Sequence, residues 1–148
     1  MQEIKERKIM YHMIMALEHD LIDYLCPYLS VQDFTADMIC KINSRTSKAF
    51  SVKEMLEQLS FGDFLELINL YKVKLGITQN DLSFLNKNCY TNIVEIRNRV
   101  MHPKPLLFND YAVLSNLFYK IDSYVHSIAW LNVLNARDEI DNNLQQIL

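Results

Sequence analysis

Glycine and proline are nearly missing from this chain. Among 148 residues there are two glycines, Gly62 and Gly76, and three prolines, Pro27, Pro103 and Pro105. Tight turns between strands draw heavily on glycine, so the scarcity argues against a sheet and for long helices with few connections. Cysteine is sparse as well. Cys26, Cys40 and Cys89 are odd in number, far apart and without CxxC or metal-ligand spacing. They read as small buried thiols of a reducing cytoplasm. His12, His19, His102 and His126 are scattered, and no glycine-rich phosphate loop, HExxH or Cys-His pairing is visible, so neither a metal nor a cofactor is expected. An excess of positive charge is missing too: the formal net charge is −3, where a dedicated duplex DNA binder is usually basic. The apolar run from Ile9 to Leu17 follows Glu3 and Glu6, is interrupted by His12 and lacks a small-residue cleavage site. It reads as a core helix rather than a signal peptide, and nothing approaches the length of a membrane span. The expectation is a soluble cytoplasmic protein with no membrane partner.

What is present is globular: half of the residues are hydrophobic and 11 % aromatic, enough in a chain of this length to bury a core as one domain, 1–148. Helical spacing marks a first helix from Gln2 to Cys26, with Met10, Ile14, Leu17, Leu21 and Leu25 on one face and Pro27 ending it. Phe34, Met38 and Ile42 mark a weaker segment, and Asn43 to Ser47 read as a polar connection. Ser51–Glu54 and Ser60–Asp63 have the form of capping boxes, Gly76 is a natural stop, and Thr78 to Asp81 start another helix. Its stripe of Leu82, Leu85, Cys89, Ile93, Ile96 and Val100 leads to Pro103, with Asn86 to Asn88 as a place where it could break. Asn109 or Asp110 caps a last long element whose stripe is Leu114, Leu117, Phe118, Ile121, Val125, Ile128 and Leu131, with a final amphipathic turn or two reaching toward Leu148. The fold class is all-α: an antiparallel helical bundle of four principal helices plus short extras.

One segment breaks its own pattern. In EIRNRVMHP, Glu95 to Pro103, a helical wheel with Ile93 at zero places Val100 near −20° and Ile96 near −60°, with Arg97 near 40°, inside the apolar arc. Glu95 and Arg99 fall on the far side, where solvated charges belong. Arginine keeps its proton, so burying it alone is costly. Three readings are open: the side chain snorkels outward, it pairs with a buried acid of another helix, or the arc faces a groove or second subunit that binds an anion. Pro103 disfavours helical geometry at His102, which places that histidine at the negative end of the helix. Asn98, four residues earlier, is within reach of its ring. Lys104 and Tyr111 follow closely. His126 is read as an exposed helical residue, or as a further group reaching the site. Two basic runs stand out. Lys41, Arg45, Lys48 and Lys53 read as a solvated loop or a nucleic-acid contact, and Lys87, Arg97, Arg99 and Lys104 surround the segment in question.

Arg97-Asn98-Arg99-Val100-Met101-His102 has the form R-N-x-x-x-H. This resembles the signature of HEPN domains, small all-helical proteins that include many RNA-cleaving toxins and defence nucleases. The resemblance is carried by the hexapeptide in sequence and by most of the chain in architecture. It implies a metal-independent endoribonuclease, a toxin or phage-defence effector, in which two subunits bring both motifs to one cleft and cleavage leaves a 2′,3′-cyclic phosphate. His102 would then be the general acid or base, Arg97 would hold the scissile phosphate, and Asn98 would orient them. Arg99 and Lys104 are candidate RNA contacts. An antitoxin or regulatory protein is a further implied partner.

The chemistry suits these residues. Attack by the neighbouring 2′-hydroxyl needs no external nucleophile, only proton transfer and a cation for the developing phosphorane charge. On an ideal helix a five-residue spacing turns Arg97 and His102 about 140° apart, so one chain does not easily bring both to one phosphate, whereas a two-fold dimer supplies two of each. Two other functions fit the same sequence: a non-catalytic HEPN-like module that binds RNA, nucleotide or protein, and a helical adaptor in which Arg97 belongs to a structural ion pair.

Overall fold

In a computed structural model of the chain, the backbone is described for residues 2–49, 51–102 and 104–147, and the side chains for 3–49, 51–102 and 104–142. Among these residues the structure is all-helical, without a strand. The elements are α1 (Gln2–Leu25), α2 (Ala36–Arg45), α3 (Val52–Leu56), α4 (Phe61–Leu70), α5 (Lys72–Leu75), α6 (Gln79–Phe84), α7 (Thr91–Met101), α8 (Asp110–Tyr124) and α9 (Leu131–Ile147). A 3-10 turn, Val31–Asp33, precedes α2, and a π-helical segment, Leu85–Tyr90, joins α6 to α7. Among the described residues no helix is long and apolar enough to cross a membrane.

The hub is α1, which packs against α4, α7, α8 and α9. Met10, Ile14, Leu17, Leu21 and Leu25 are buried as their spacing predicts, but so are Ile9, Met13, Ala16, Glu18, Asp20 and Ile22. A helix covered by four neighbours keeps over its middle only a narrow exposed stripe, at Tyr11, His19 and Asp23, and two of its acids, Glu18 and Asp20, are inside.

The local start signals act as their chemistry predicts. Ser51 Oγ accepts the Glu54 amide at 3.1 Å and the Glu54 carboxylate accepts the Ser51 amide at 3.2 Å. The Asp63 carboxylate accepts the Ser60 amide at 3.2 Å, and Thr78 Oγ1 accepts the Asp81 amide at 3.2 Å. Gly76 ends α5 with φ of 70°, the left-handed conformation that glycine adopts without a Cβ clash. The stripe from Leu82 to Val100 is buried throughout. Where the three-residue run Asn86 to Asn88 threatened to interrupt it, the helix widens to the π form instead of ending. The Asn69 and Asn86 side-chain amides exchange hydrogen bonds at 2.9 Å across that point.

Three expectations are corrected. The stretch read as a polar connection from Asn43 belongs in part to α2, which runs to Arg45. The last stripe is not one helix: α8 stops at Tyr124, and residues 125–130 form a connection before α9 in which Val125, Ile128 and Trp130 are buried. Val125 and Ile128 are buried as expected, but Leu131 is largely exposed. The cause is tertiary. Asp81 of α6 accepts the amides of His126 at 3.0 Å and Ser127 at 2.7 Å, and the Ser127 hydroxyl at 2.5 Å. These bonds hold that carboxyl below its usual range despite the opposing effect of burial. Asp20 of α1 accepts the amides of Asn132 and Val133, each at 2.9 Å, and so caps α9 from another helix. The Trp130 indole donates to the Val125 carbonyl at 2.9 Å. Carboxylates far away in sequence thus supply what the broken helix loses. The final turns form a helix of 17 residues rather than one or two turns, and Leu148 lies outside the described residues.

Candidate active site at the end of α7

The helix α7 is fixed by Ile93, Ile96 and Val100, all buried, and the side chains in question radiate from it. Arg97 turns inward. Its Nε donates to Glu18 Oε2 of α1 at 2.9 Å, and the same carboxylate oxygen accepts the Phe61 amide of α4 at 2.8 Å. Glu18 is buried; burial raises its carboxyl above the usual range, and Arg97 offsets part of that rise. Of the three readings, the structure therefore places Arg97 beside a buried acid of its own chain. The pairing uses Nε alone. The side chain keeps 21 % exposure, and among the described residues neither Nη1 nor Nη2 has a hydrogen-bond partner or is a sealed, unsatisfied nitrogen.

Asn98 and His102 are exposed. His102 ends α7 with an extended backbone, φ −111° and ψ 158°, its amide bonded to the Asn98 carbonyl at 3.1 Å. The helix ends where the sequence predicts; Pro103, the residue invoked for that ending, lies outside the described residues. Among the described residues no hydrogen bond joins the Asn98 side chain to the His102 ring.

Arg99 corrects the wheel. It is not on a solvated side: Nε and Nη2 donate to Asp110 Oδ2 and Oδ1, each at 2.7 Å, in a bidentate pair that is mostly buried. Asp110 also accepts the Leu107 amide at 2.8 Å, and the guanidinium and amide together hold it below its usual range against the effect of burial. Asp110 is the first residue of α8 rather than its cap residue. Two of Arg99's nitrogens are thus committed to fixing α8 against α7.

The group with no strong sequence signal is Arg7 of α1. Its Nη1 donates to the carbonyls of Arg99 at 2.6 Å and Val100 at 3.2 Å, and its Nη2 to that of Lys104 at 2.6 Å. A guanidinium thereby satisfies carbonyls that the end of α7 leaves open. Glu3 Oε1 accepts the Leu106 amide at 2.9 Å. The result is an open depression of about 650 Å³, lined by Glu3, Arg7, Met101, His102, Lys104 and Pro105 among others. Lys104 stands exposed on its rim. His126 belongs to the connection after α8, its ring Nε2 2.9 Å from the Ser123 carbonyl. Tyr111 is half-buried, and burial followed by the charge of Glu6 raises its hydroxyl.

Two of the four cations of the first basic run are engaged. Lys41 pairs with buried Asp63 at 2.6 Å, and Arg45 donates to the Gln58 carbonyl. Among the described residues no cluster of three or more potential metal ligands occurs.

Glu18 and Asp20 are the residues that sequence reasoning missed. Asp20 stands three residues after Leu17 and one before Leu21, at the spacing of the buried stripe. An acid at such a position is the one available signal, since it predicts a partner inside. The fold and site define an all-helical protein with an inward arginine and an outward histidine on one helix. No family model, curated protein or solved structure matches the chain.

Proposed function

We propose that the protein is a metal-independent endoribonuclease of HEPN-like type, acting on single-stranded RNA as a two-fold dimer. The observation that supports it best is the way Arg97 is held. A single bond from Nε to Glu18 orients the guanidinium and leaves Nη1 and Nη2 without a partner among the described residues, the pair of donors that phosphate oxygens take. One turn further on, His102 is exposed at the end of α7. In this reading His102 moves the proton at the 2′-hydroxyl or the leaving oxygen, Arg97 stabilises the phosphorane, Asn98 orients them, and Lys104 meets a neighbouring phosphate. Arg99, tied to Asp110, holds the scaffold.

The test is cleavage of single-stranded RNA in EDTA, with cyclic-phosphate ends as the product. His102→Ala and Arg97→Ala should each abolish cleavage while the circular dichroism stays helical. A wild type inert on varied RNAs would overturn the reading. The 2.9 Å Arg97–Glu18 pair itself favours a second reading, a non-catalytic helical module in which that arginine only neutralises a buried acid. An inert but folded wild type would select it. The toxin or defence role, and an antitoxin or regulatory partner, belong to the first reading alone.

A further inference from the structure

A second depression lies between the last turns of α1 and the connection that leads into α9. It measures about 300 Å³ and shares no lining residue with the one at the end of α7. Tyr24 and Tyr28 form an aromatic corner in it, their ring centroids 6.2 Å apart and their planes at 60°. The Tyr24 hydroxyl donates to the Leu75 carbonyl at 3.0 Å, which fixes that ring. Pro27 and Leu131 add apolar wall, and Asp20 and Asp23 add negative charge. Among the described residues no lysine, arginine or histidine lines it.

That charge has no counterion. Glu18, Asp63 and Asp110 are buried beside Arg97, Lys41 and Arg99. Asp20, 1 % exposed, has no cation among the described residues and receives only the backbone amides of Asn132 and Val133 and the Asn132 side-chain amide. The same Asn132 Nδ2 donates to Asp23 Oδ2 at 3.1 Å, so one amide links the two carboxylates, and Asp23 Oδ1 has no partner among the described residues. Burial raises the Asp20 carboxyl above its usual range, and the Asp23 charge adds to that rise against the opposing N–H groups. His19 and Lys53 line the adjoining depression together with Asp23 but form no ion pair with it among the described residues.

We infer that this depression binds an organic ammonium ion on a short aliphatic arm, a free amine or the side chain of a lysine. An ammonium group brings N–H donors for Asp23 Oδ1 and the positive charge that the two carboxylates lack. Tyrosine rings attract a cation through their quadrupole. Leu131 is 67 % and Tyr28 46 % exposed, so apolar surface stands ready for the methylenes of the arm to cover. An anion would meet two carboxylates and no cation. An inorganic cation would leave the apolar walls uncovered, which an alkylated one does not. The inference stands apart from the ribonuclease reading and uses none of its residues.

Titration of the isotope-labelled full chain with butylammonium, followed by amide NMR, tests this. The amides of Asp23, Tyr28 and Leu131 should shift along one saturating curve with a dissociation constant of about 1 mM. Butanol, which has the same arm without the charge, should bind at least about tenfold more weakly. Asp23→Asn should weaken butylammonium about tenfold. Tyr28→Leu, which keeps an apolar side chain but removes the ring, should weaken it about threefold or more. Both residues are exposed, and each variant tests the inference alone should the other unfold. Glu66→Gln, at an exposed acid of α4, should leave binding unchanged. Diaminobutane and Nα-acetyl-lysine amide distinguish the sources: tighter binding of the first supports a free amine, and of the second a lysine side chain. Absence of saturable shifts, equal binding of butanol, or an affinity indifferent to both Asp23→Asn and Tyr28→Leu would overturn the inference.

Discussion

Glu18 and Arg97, 79 residues apart in sequence, meet at 2.9 Å between α1 and α7. The contact decides how an arginine can occupy an apolar arc. The carboxylate is shared with the Phe61 amide, so one acid serves three helices.

Removing that acid should therefore cost more than a surface charge. Glu18→Ala leaves the Phe61 amide unpaired and Arg97 without its partner, and should lower stability to urea by about 3 kcal/mol. Glu18→Gln, which keeps an acceptor, should lose clearly less. Because burial raises the Glu18 carboxyl, the folded state holds its proton more tightly than the unfolded one. Its contribution is then largest below the unfolded value of 4.5 and is lost as pH rises through the folded value. Urea midpoints for wild type and Glu18→Gln across pH 4–8 would read that slope; equal slopes would refute it.

The Arg99–Asp110 pair should show the opposite sign. Asp110 is held below its ordinary 3.8, so its stabilisation is present above that pH and lost as pH falls through the lowered folded value. Asp110→Asn should destabilise the protein by about 3 kcal/mol at pH 7, and the gap to wild type should close in acid. A gap independent of pH would show that the ion pair is not its source.

Arg7 should act locally. Arg7→Met keeps much of the side chain's bulk but removes the donors to the carbonyls of Arg99, Val100 and Lys104. A loss of about 1–3 kcal/mol is expected, since hydrogen bonds to a charged group are stronger than neutral ones. Amide hydrogen exchange at Leu106 and Leu107 should quicken before exchange in α4 does. Uniform acceleration would instead mean that Arg7 braces the whole fold.

The thiols offer a direct check on packing. Cys89 is fully buried and its thiol is pushed up to about 12 by burial, while Cys40 is exposed. A thiol reagent at pH 8 should label Cys40 quickly and Cys89 only on unfolding. Rapid labelling of Cys89 would show that the π-helical segment opens readily.

Much of this fold could be read along the chain. The buried stripe from Leu82 to Val100, the Ser51–Glu54 capping box and the Gly76 stop all follow from residues close together, because periodicity and capping are local effects. So does the suspicion about Arg97, whose angle on the helix depends only on its neighbours. The break after Tyr124 was not legible: nothing in the stripe reveals that Asp81 and Asp20 will capture the backbone at Ser127 and Val133. Nor could a wheel show that Arg99 finds Asp110.

By itself the sequence determined the all-helical class, most helix starts and stops, and the presence of a misplaced cation five residues before a histidine. Only the tertiary structure decided its partner, since a buried charge is satisfied by whichever acid packing brings within about 3 Å, and that acid is on α1. It also decided which face stays open. The chain leading to exposed Phe108 is pinned at Leu106 by Glu3 and at Lys104 by Arg7, contacts between residues about a hundred positions apart that no local pattern encodes.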